Sequence, residues 1–146
     1  MLAIASGGGH WIEMRRIMPA FEGFDVAYAT VLETSRADVP GMRFHTFPDF
    51  SRFALGSLPL LTLRLLKILW SERPAVVVTT GSAPALLCMA LAKLLLRSKT
   101  IWIDSIANCD RLSSSGSAAR WFADEWLTQW PHLAGPKGPQ HWGAVL

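Results

Sequence analysis

At 146 residues the chain has the length of one domain, and with 51% apolar residues it can bury a sizeable core. Only 17% of residues are charged, the net charge is +3 and no Lys/Arg block occurs; this excludes a nucleic-acid partner and suits an anionic membrane face. There is no signal peptide and no run of about 18 apolar residues, and Cys88 and Cys109 lack metal or redox spacing, so the expectation is a cytoplasmic chain with reduced thiols, no spanning helix, no metal and no cofactor.

The elements alternate along the chain. Residues 2–5 form a short apolar run that breaks into Ser6, Gly7, Gly8, Gly9 and His10, and an amphipathic stretch follows with Ile12, Ile17, Met18 and Phe21 as its apolar set. That pattern predicts strand, tight turn and helix. Glycines let a backbone approach a ligand closely, and the free N–H groups of a helix start favour an anion, so the turn suits a phosphate or diphosphate; a plain tight turn reads equally well. The spacing is not G-x-G-x-x-G, and the second strand (residues 25–30) lacks a carboxylate at its tip, Glu33 being the nearest. A P-loop is excluded because no G-K-[ST] is present.

A polar turn through Ser35, Asp38, Pro40 and Gly41 leads to a strand at residues 42–46, then a loop at 47–57 and a helix at 58–70. Residues 75–79 make a buried β-branched strand, followed by a turn at Thr80, Gly81 and Ser82 and a helix to about residue 96. A strand at 99–104, a polar loop at 105–116, a short helix at 117–123 and a strand at 125–128 complete the alternation, before an irregular segment rich in Pro, Gly and Trp. The expected fold is α/β: one Rossmann-like, doubly wound parallel sheet spanning residues 1–146, with ligands where strand C-termini meet helix N-termini. Three turns then share one edge: residues 6–10, residues 80–82, and Asp104 with Ser105. Helix or loop capping explains each singly; together they read as a site.

The helix at 58–70 is too apolar for one core face. At 100° per residue Arg64, Lys67 and Ser71 cluster, while Leu63, Leu66 and Trp70 lie on the flank beside them. That layout fits a helix in a membrane interface, with a helix buried in the core as the competing reading. The following helix, interrupted only by Lys93, reads as core or partner interface. Trp121, Trp126, Trp130 and Trp142 crowd the last quarter, and the apolar residues 142–146 read as a final strand or docking segment.

The pieces Ser6-Gly-Gly-Gly-His10 with Glu13, Val76-Val-Val-Thr-Thr-Gly-Ser82, Trp102-Ile-Asp-Ser105 and Asp124-Glu-Trp-Leu-Thr-Gln-Trp-Pro131 resemble, in order and spacing, the acceptor-binding subunits of two-component UDP-sugar glycosyltransferases. That group includes the eukaryotic membrane subunit that helps add the second N-acetylglucosamine to a dolichol-diphosphate sugar, and bacterial subunits of exopolysaccharide assembly. It is similar to the N-terminal half of GT-B enzymes such as the lipid II-forming peptidoglycan glycosyltransferase. The resemblance implies a polyprenyl-diphosphate-linked sugar held by Ser6, Gly7, Gly8, Gly9, Thr80, Gly81, Ser82 and Ser105, and a peripheral place on the cytoplasmic face of the inner or plasma membrane. It also implies a separate GT-B C-terminal-like subunit carrying the UDP-sugar, without which this chain is inactive. The eukaryotic relatives have an N-terminal anchor that this sequence lacks, and their residue at the position of Asp104 is often Glu.

An inverting transfer needs a base for the acceptor hydroxyl. His10 and Asp104 are the candidates, with Glu13 one helical turn on to orient the imidazole; His10 donating to the diphosphate is an equal reading. Arg111 pairs with a phosphate or is a solvated surface residue, and His45, His132 and His141 form no cluster. The rival functions are a non-catalytic membrane adaptor and a nucleotide-binding Rossmann oxidoreductase.

Overall fold

The structure is a computed structural model that describes residues 1–50 and 55–145. Its strands are β1 (Leu2–Ile4), β2 (Ala27–Thr30), β3 (Arg43–Thr46), β4 (Val76–Thr79), β5 (Lys99–Ile103) and β6 (Glu125–Leu127). They form one wholly parallel sheet in the order β3-β2-β1-β4-β5-β6. The winding direction reverses between β1 and β4, which makes the crevice at their C-terminal ends the topological switch point. The expected doubly wound Rossmann-like sheet is the one observed.

Among the described residues four α-helices flank it: α1 (Gly9–Ile17), α2 (Leu58–Glu72), α3 (Ala83–Leu91) and α4 (Ser114–Ala119). Because side chains alternate along a strand, Leu2 and Ile4 of β1 face α2 and α3. There they join Ala27, Ala29 and Val77 in packing on Leu61, Leu65, Ile68, Leu69, Ala85 and Cys88. Ala3, Ala5, Tyr28 and Phe44 face the other way, onto Trp11 and Met14 of α1. Burial on both sides explains why these strands read as continuous apolar runs.

Several boundaries move, for local reasons. From α1 into the helical turn that follows it (Met18–Phe21), the inward stripe runs through Trp11 and Met14 to Ile17, Met18 and Phe21, while Ile12 is 52% exposed. Trp11 tolerates burial because its indole N–H donates to Asp38 Oδ2 at 2.8 Å, and its ring meets Tyr28 and Phe44 edge-on. The short helix expected at 117–123 begins earlier, at Ser114, because Ser113 caps it by accepting the Gly116 amide at 2.8 Å. Helix α2 runs two residues further than expected, to Glu72, whose carboxylate is bonded by Arg43 (2.9 Å) and His45 (2.6 Å) of β3. Helix α3 continues as a wider turn, Ala92–Leu96, closed by Arg97 in the left-handed region. The expected loop at 47–57 lies partly outside the described residues, and its last part is a helical turn, Leu55–Ser57. Gln140 bridges to Leu127 along the outer edge of β6, so the segment that follows is laid against the sheet. No helix among the described residues is long and apolar enough to cross a membrane.

Candidate functional site

The sequence passes from β1 into α1 in four residues, and glycine makes that possible. Gly8 sits at φ 65°, which L side chains rarely adopt, and a Cβ on Gly8 or Gly9 would meet nothing within 4 Å, so this stretch of loop is open. A Cβ on Gly7, by contrast, would press on Val31 at 3.0 Å. Across the switch point, β4 ends in Thr80, Gly81 and Ser82. Gly81 has φ 121°, and a Cβ there would lie 2.8 Å from Cε1 and 2.9 Å from Nδ1 of His10. The imidazole therefore packs directly on the glycine backbone.

His10 is clasped from both ends. Its Nδ1 lies 2.9 Å from the Thr80 carbonyl, and the Thr80 hydroxyl donates to the His10 carbonyl at 2.6 Å. A carbonyl only accepts, so Nδ1 carries the proton and the neutral ring has its lone pair on Nε2. Ser82 begins α3 at φ 96°, ψ 153°, a conformation normally left to glycine, and its Oγ accepts the Ala85 amide at 3.4 Å. Strained backbone of this kind recurs at functional sites.

The two carboxylates expected near the chemistry lie beneath the cleft. Asp104 is 1% exposed. Its Oδ1 accepts from Ser113 Oγ (2.7 Å) and Trp102 Nε1 (3.2 Å), and its Oδ2 from the Ser113 amide and Asn108 Nδ2 (both 3.1 Å). A Cβ on Gly116 would collide with Asp104 Oδ1, so that glycine is dictated by the carboxylate. Glu13 is also buried and accepts from Ser105 Oγ (2.6 Å), Gln129 Nε2 (2.8 Å) and the Ile106 amide (3.3 Å). It does not orient His10, as the sequence suggests; the Thr80 carbonyl takes that position, because Glu13 turns toward the loop after β5.

A cleft of about 230 Å³ opens above these groups, and His10, Ser82, Ser105, Asn108, Ser113 and Ser114 are among the residues lining it. A second hollow, sharing Asn108, Ser113 and Ser114, brings in Arg111. Between them the two are lined by hydroxyls, an amide, one imidazole, one guanidinium and the apolar Ala107 and Leu112, with no carboxylate among the lining residues. Three sequence-derived positions, His10, Ser82 and Ser105, thus meet in one cleft. Thr80 and Gly81 hold the imidazole, while Asp104 and Glu13 support the loop from below. Sequence reading missed Asn108, Ser113, Gly116 and Gln129; a serine three residues ahead of Gly116 was the available signal for the cap.

Helix α2 has two apolar faces. Leu61, Leu65, Ile68 and Leu69 are core, whereas Leu60, Leu63 and Trp70 are 61%, 66% and 58% exposed, with Lys67 between them and Leu66 half-buried. Arg64 departs from the expected basic strip: its Nε donates to the Thr46 carbonyl at 2.8 Å. Trp121 and Trp142 are exposed, but Trp126 and Trp130 turn their indole N–H groups to the Gly116 and Ile106 carbonyls at 2.8 Å. Among the described residues no group of three His, Cys, Asp or Glu could hold a metal ion. Cys88 is buried, which pushes its thiol up to about 12, and Cys109 is exposed.

Known proteins place the fold and then the family. The UDP-GlcNAc 2-epimerase from Methanocaldococcus jannaschii superposes with a TM-score of 0.65 at 14% identity, covering 87% of this chain and 38% of that one. A putative UDP-N-acetylglucosamine 2-epimerase from Listeria monocytogenes gives 0.62 at 11% identity, covering 88% and 38%. At such identities these matches speak for the fold alone. The UDP-N-acetylglucosamine transferase subunit ALG14 of Yarrowia lipolytica is 37% identical over 73 residues, 47% of this chain, and the match spans about a third of that protein (34%). The model of the family described as "Oligosaccharide biosynthesis protein Alg14 like" matches residues 54–146, well over half of the chain and inclusive of β4, the Thr80–Gly81 turn, Asp104 and Gln129. The chain belongs to that Alg14-like family of oligosaccharide biosynthesis proteins.

Proposed function

We propose that this chain is the acceptor-holding, membrane-recruiting subunit of a heteromeric UDP-sugar glycosyltransferase, with residues 1–146 forming its one acceptor domain. The observation that carries the reading is the His10 clasp: an imidazole fixed on Gly81, with Nδ1 bonded to the Thr80 carbonyl, in a cleft between two helix N-termini with no carboxylate among its lining residues. The name of the curated relative, a UDP-N-acetylglucosamine transferase subunit, supports N-acetylglucosamine as the transferred sugar.

The acceptor is a polyprenyl-diphosphate-linked sugar. Its diphosphate lies against the open Gly8–Gly9 backbone and the start of α3, where N–H groups and helix dipoles favour anions, with Arg111 at the rim. The prenyl chain enters the cytoplasmic leaflet beside Leu60, Leu63 and Trp70 of α2, and Lys67 meets lipid phosphates. A GT-B C-terminal-like partner supplies the UDP-sugar. His10 Nε2 takes the proton of the acceptor hydroxyl as that oxygen bonds to the anomeric carbon, and the bond from that carbon to the UDP oxygen breaks, with UDP leaving. Asp104 and Glu13, fully engaged by internal donors, hold the loop.

The test is turnover by the assembled pair on UDP-N-acetylglucosamine and a short-chain prenyl-diphosphate sugar. His10→Ala should lower kcat by about 100-fold or more, the usual share of general-base catalysis. Undiminished turnover at saturating acceptor would remove His10 from the chemistry and leave the membrane-adaptor role.

A further inference from the structure

Gln129 follows β6 and is 3% exposed, yet every polar atom of its amide is used. Its Nε2 donates to Glu13 Oε2 at 2.8 Å and to the Asp104 carbonyl at 3.0 Å, and its Oε1 accepts the Val145 amide at 2.9 Å. The amide orientation is fixed by these partners, since a carboxylate and a carbonyl only accept while a backbone N–H only donates. Val145 is held a second time, its carbonyl accepting from Arg16 Nη1 at 2.7 Å. One buried side chain therefore joins α1, the tip of β5 and the outer segment around Val145. The route continues inward. Glu13, bonded by Gln129, also accepts from Ser105 Oγ and the Ile106 amide, and Ser105 lines the cleft containing His10, which sits one helical turn before Glu13.

We propose that Gln129 and Glu13 are positioning residues through which the docked segment around Val145 sets the geometry of the acceptor cleft. No described residue of that segment lines the cleft, yet its engagement fixes the 105–108 wall. Any partner that tightens or releases the segment then changes acceptor affinity without touching the acceptor. The physical basis is the cost of a partly satisfied buried network. When Val145 lets go, Gln129 Oε1 is left buried without its donor, a cost the amide relieves only by turning, which weakens its Nε2 bonds to Glu13 and the Asp104 carbonyl. Ser105 and Ile106 then share a carboxylate that has lost one of three restraints. The inference rests on the reading of this cleft as the acceptor site.

The experiment uses the whole chain and two variants. Val145→Pro removes the N–H that Gln129 accepts, while also fixing φ there and restricting Ala144, and Gln129→Leu removes the entire relay. Amide hydrogen exchange should rise at least tenfold at Ile106 in Val145→Pro, with the amide of Val78 in β4 unchanged. In the assembled pair the acceptor KM should rise several-fold while kcat stays within about twofold. Gln129→Asn, which keeps the amide chemistry one methylene shorter, should recover part of the KM that Gln129→Leu loses. Wild-type exchange at Ile106 in Val145→Pro, or an unchanged KM, overturns the coupling. Failure of the site reading looks different: a prenyl-diphosphate sugar then leaves the amides of Ser82 and Ser105 unprotected in the wild-type chain itself.

Discussion

Replacing Gly81 by alanine tests the clasp that the proposed chemistry depends on. The new Cβ would stand 2.8 Å from His10 Cε1 and 2.9 Å from Nδ1, distances no real carbon accepts, and φ 121° is itself strained for an L side chain. The backbone strain costs about 1–3 kcal/mol. Pushing the ring away also breaks the Nδ1–Thr80 hydrogen bond, about 1 kcal/mol more. The total of about 2–4 kcal/mol corresponds, at roughly 2–4 °C per kcal/mol for a domain of this size, to a loss of roughly 5–15 °C in Tm. Thermal melts of Gly81→Ala, His10→Ala and the double variant separate the two contributions. With the imidazole gone the alanine retains only its backbone strain, so the cycle should show a coupling of about 1 kcal/mol or more. Turnover by Gly81→Ala should fall nearly as far as by His10→Ala. A Gly81→Ala cost that is the same with and without His10 refutes the argument that this glycine exists to seat the ring.

The double change Leu63→Glu, Leu66→Glu should weaken binding to anionic vesicles several-fold while the melt moves little, because Leu63 is exposed and Leu66 half-buried; Leu65→Glu, on the 0% exposed face, should unfold the chain. Sedimentation with vesicles and circular dichroism read the two outcomes, and unfolding by the first pair would return α2 to the core alone. For Asp124, burial pushes the carboxyl up, but bonds from Lys93 and from the Thr100 amide and hydroxyl outweigh it and hold it below 3.8. Its folded value is depressed, so its contribution is complete above pH 3.8 and lost as pH falls through the lowered value. The stability gap between wild type and Asp124→Asn in urea titrations should accordingly close on acidification and stay flat from about pH 5 to 8. Ser82→Ala should raise acceptor KM several-fold and, by removing the cap of α3, lower stability by about 0.5–2 kcal/mol, whereas Ser105→Ala should lower stability by about 1–3 kcal/mol by removing a donor from Glu13.

The sheet was legible because its strands are short apolar runs ended by glycine or polar turns, and a parallel order forces their tips to one edge. For that reason the amino-acid pattern alone brings His10 and Thr80, 70 residues apart, to the same edge. The face of α1 was harder: Trp11, Ile12 and Met14 are all apolar, and only the packing of Trp11 on Tyr28 and Phe44 decides that Ile12 points out. The start of α4 was hidden in a serine-rich run that reads as loop until Ser113 is seen to cap it. The role of Gln129 has no local signal. Its partners are Glu13, Asp104 and Val145, which lie 116, 25 and 16 positions away, and nothing in local spacing points to them.

Asp104 and Glu13 stand at a strand end and in the first turns of a helix, where a sequence leads one to expect chemistry. The fold uses both for architecture, and the electrostatics favour that arrangement. A carboxylate facing the cleft about 4 Å from a phosphate oxygen would oppose it by roughly 4 kcal/mol at an effective dielectric near 20. Here the negative oxygens face inward, taking hydrogens from Ser105, Ser113, Asn108, Gln129 and Trp102. The serines of the cleft are divided by the same arrangement. Ser105 and Ser113 point their protons down at Glu13 and Asp104, so among the described residues Ser82, Ser114 and Ser115 keep theirs for a ligand. What remains open above the loop is a set of donors, one imidazole lone pair and one guanidinium. Such a set suits the proposed diphosphate-bearing acceptor, and with both carboxylates turned away the proposed proton transfer falls to His10.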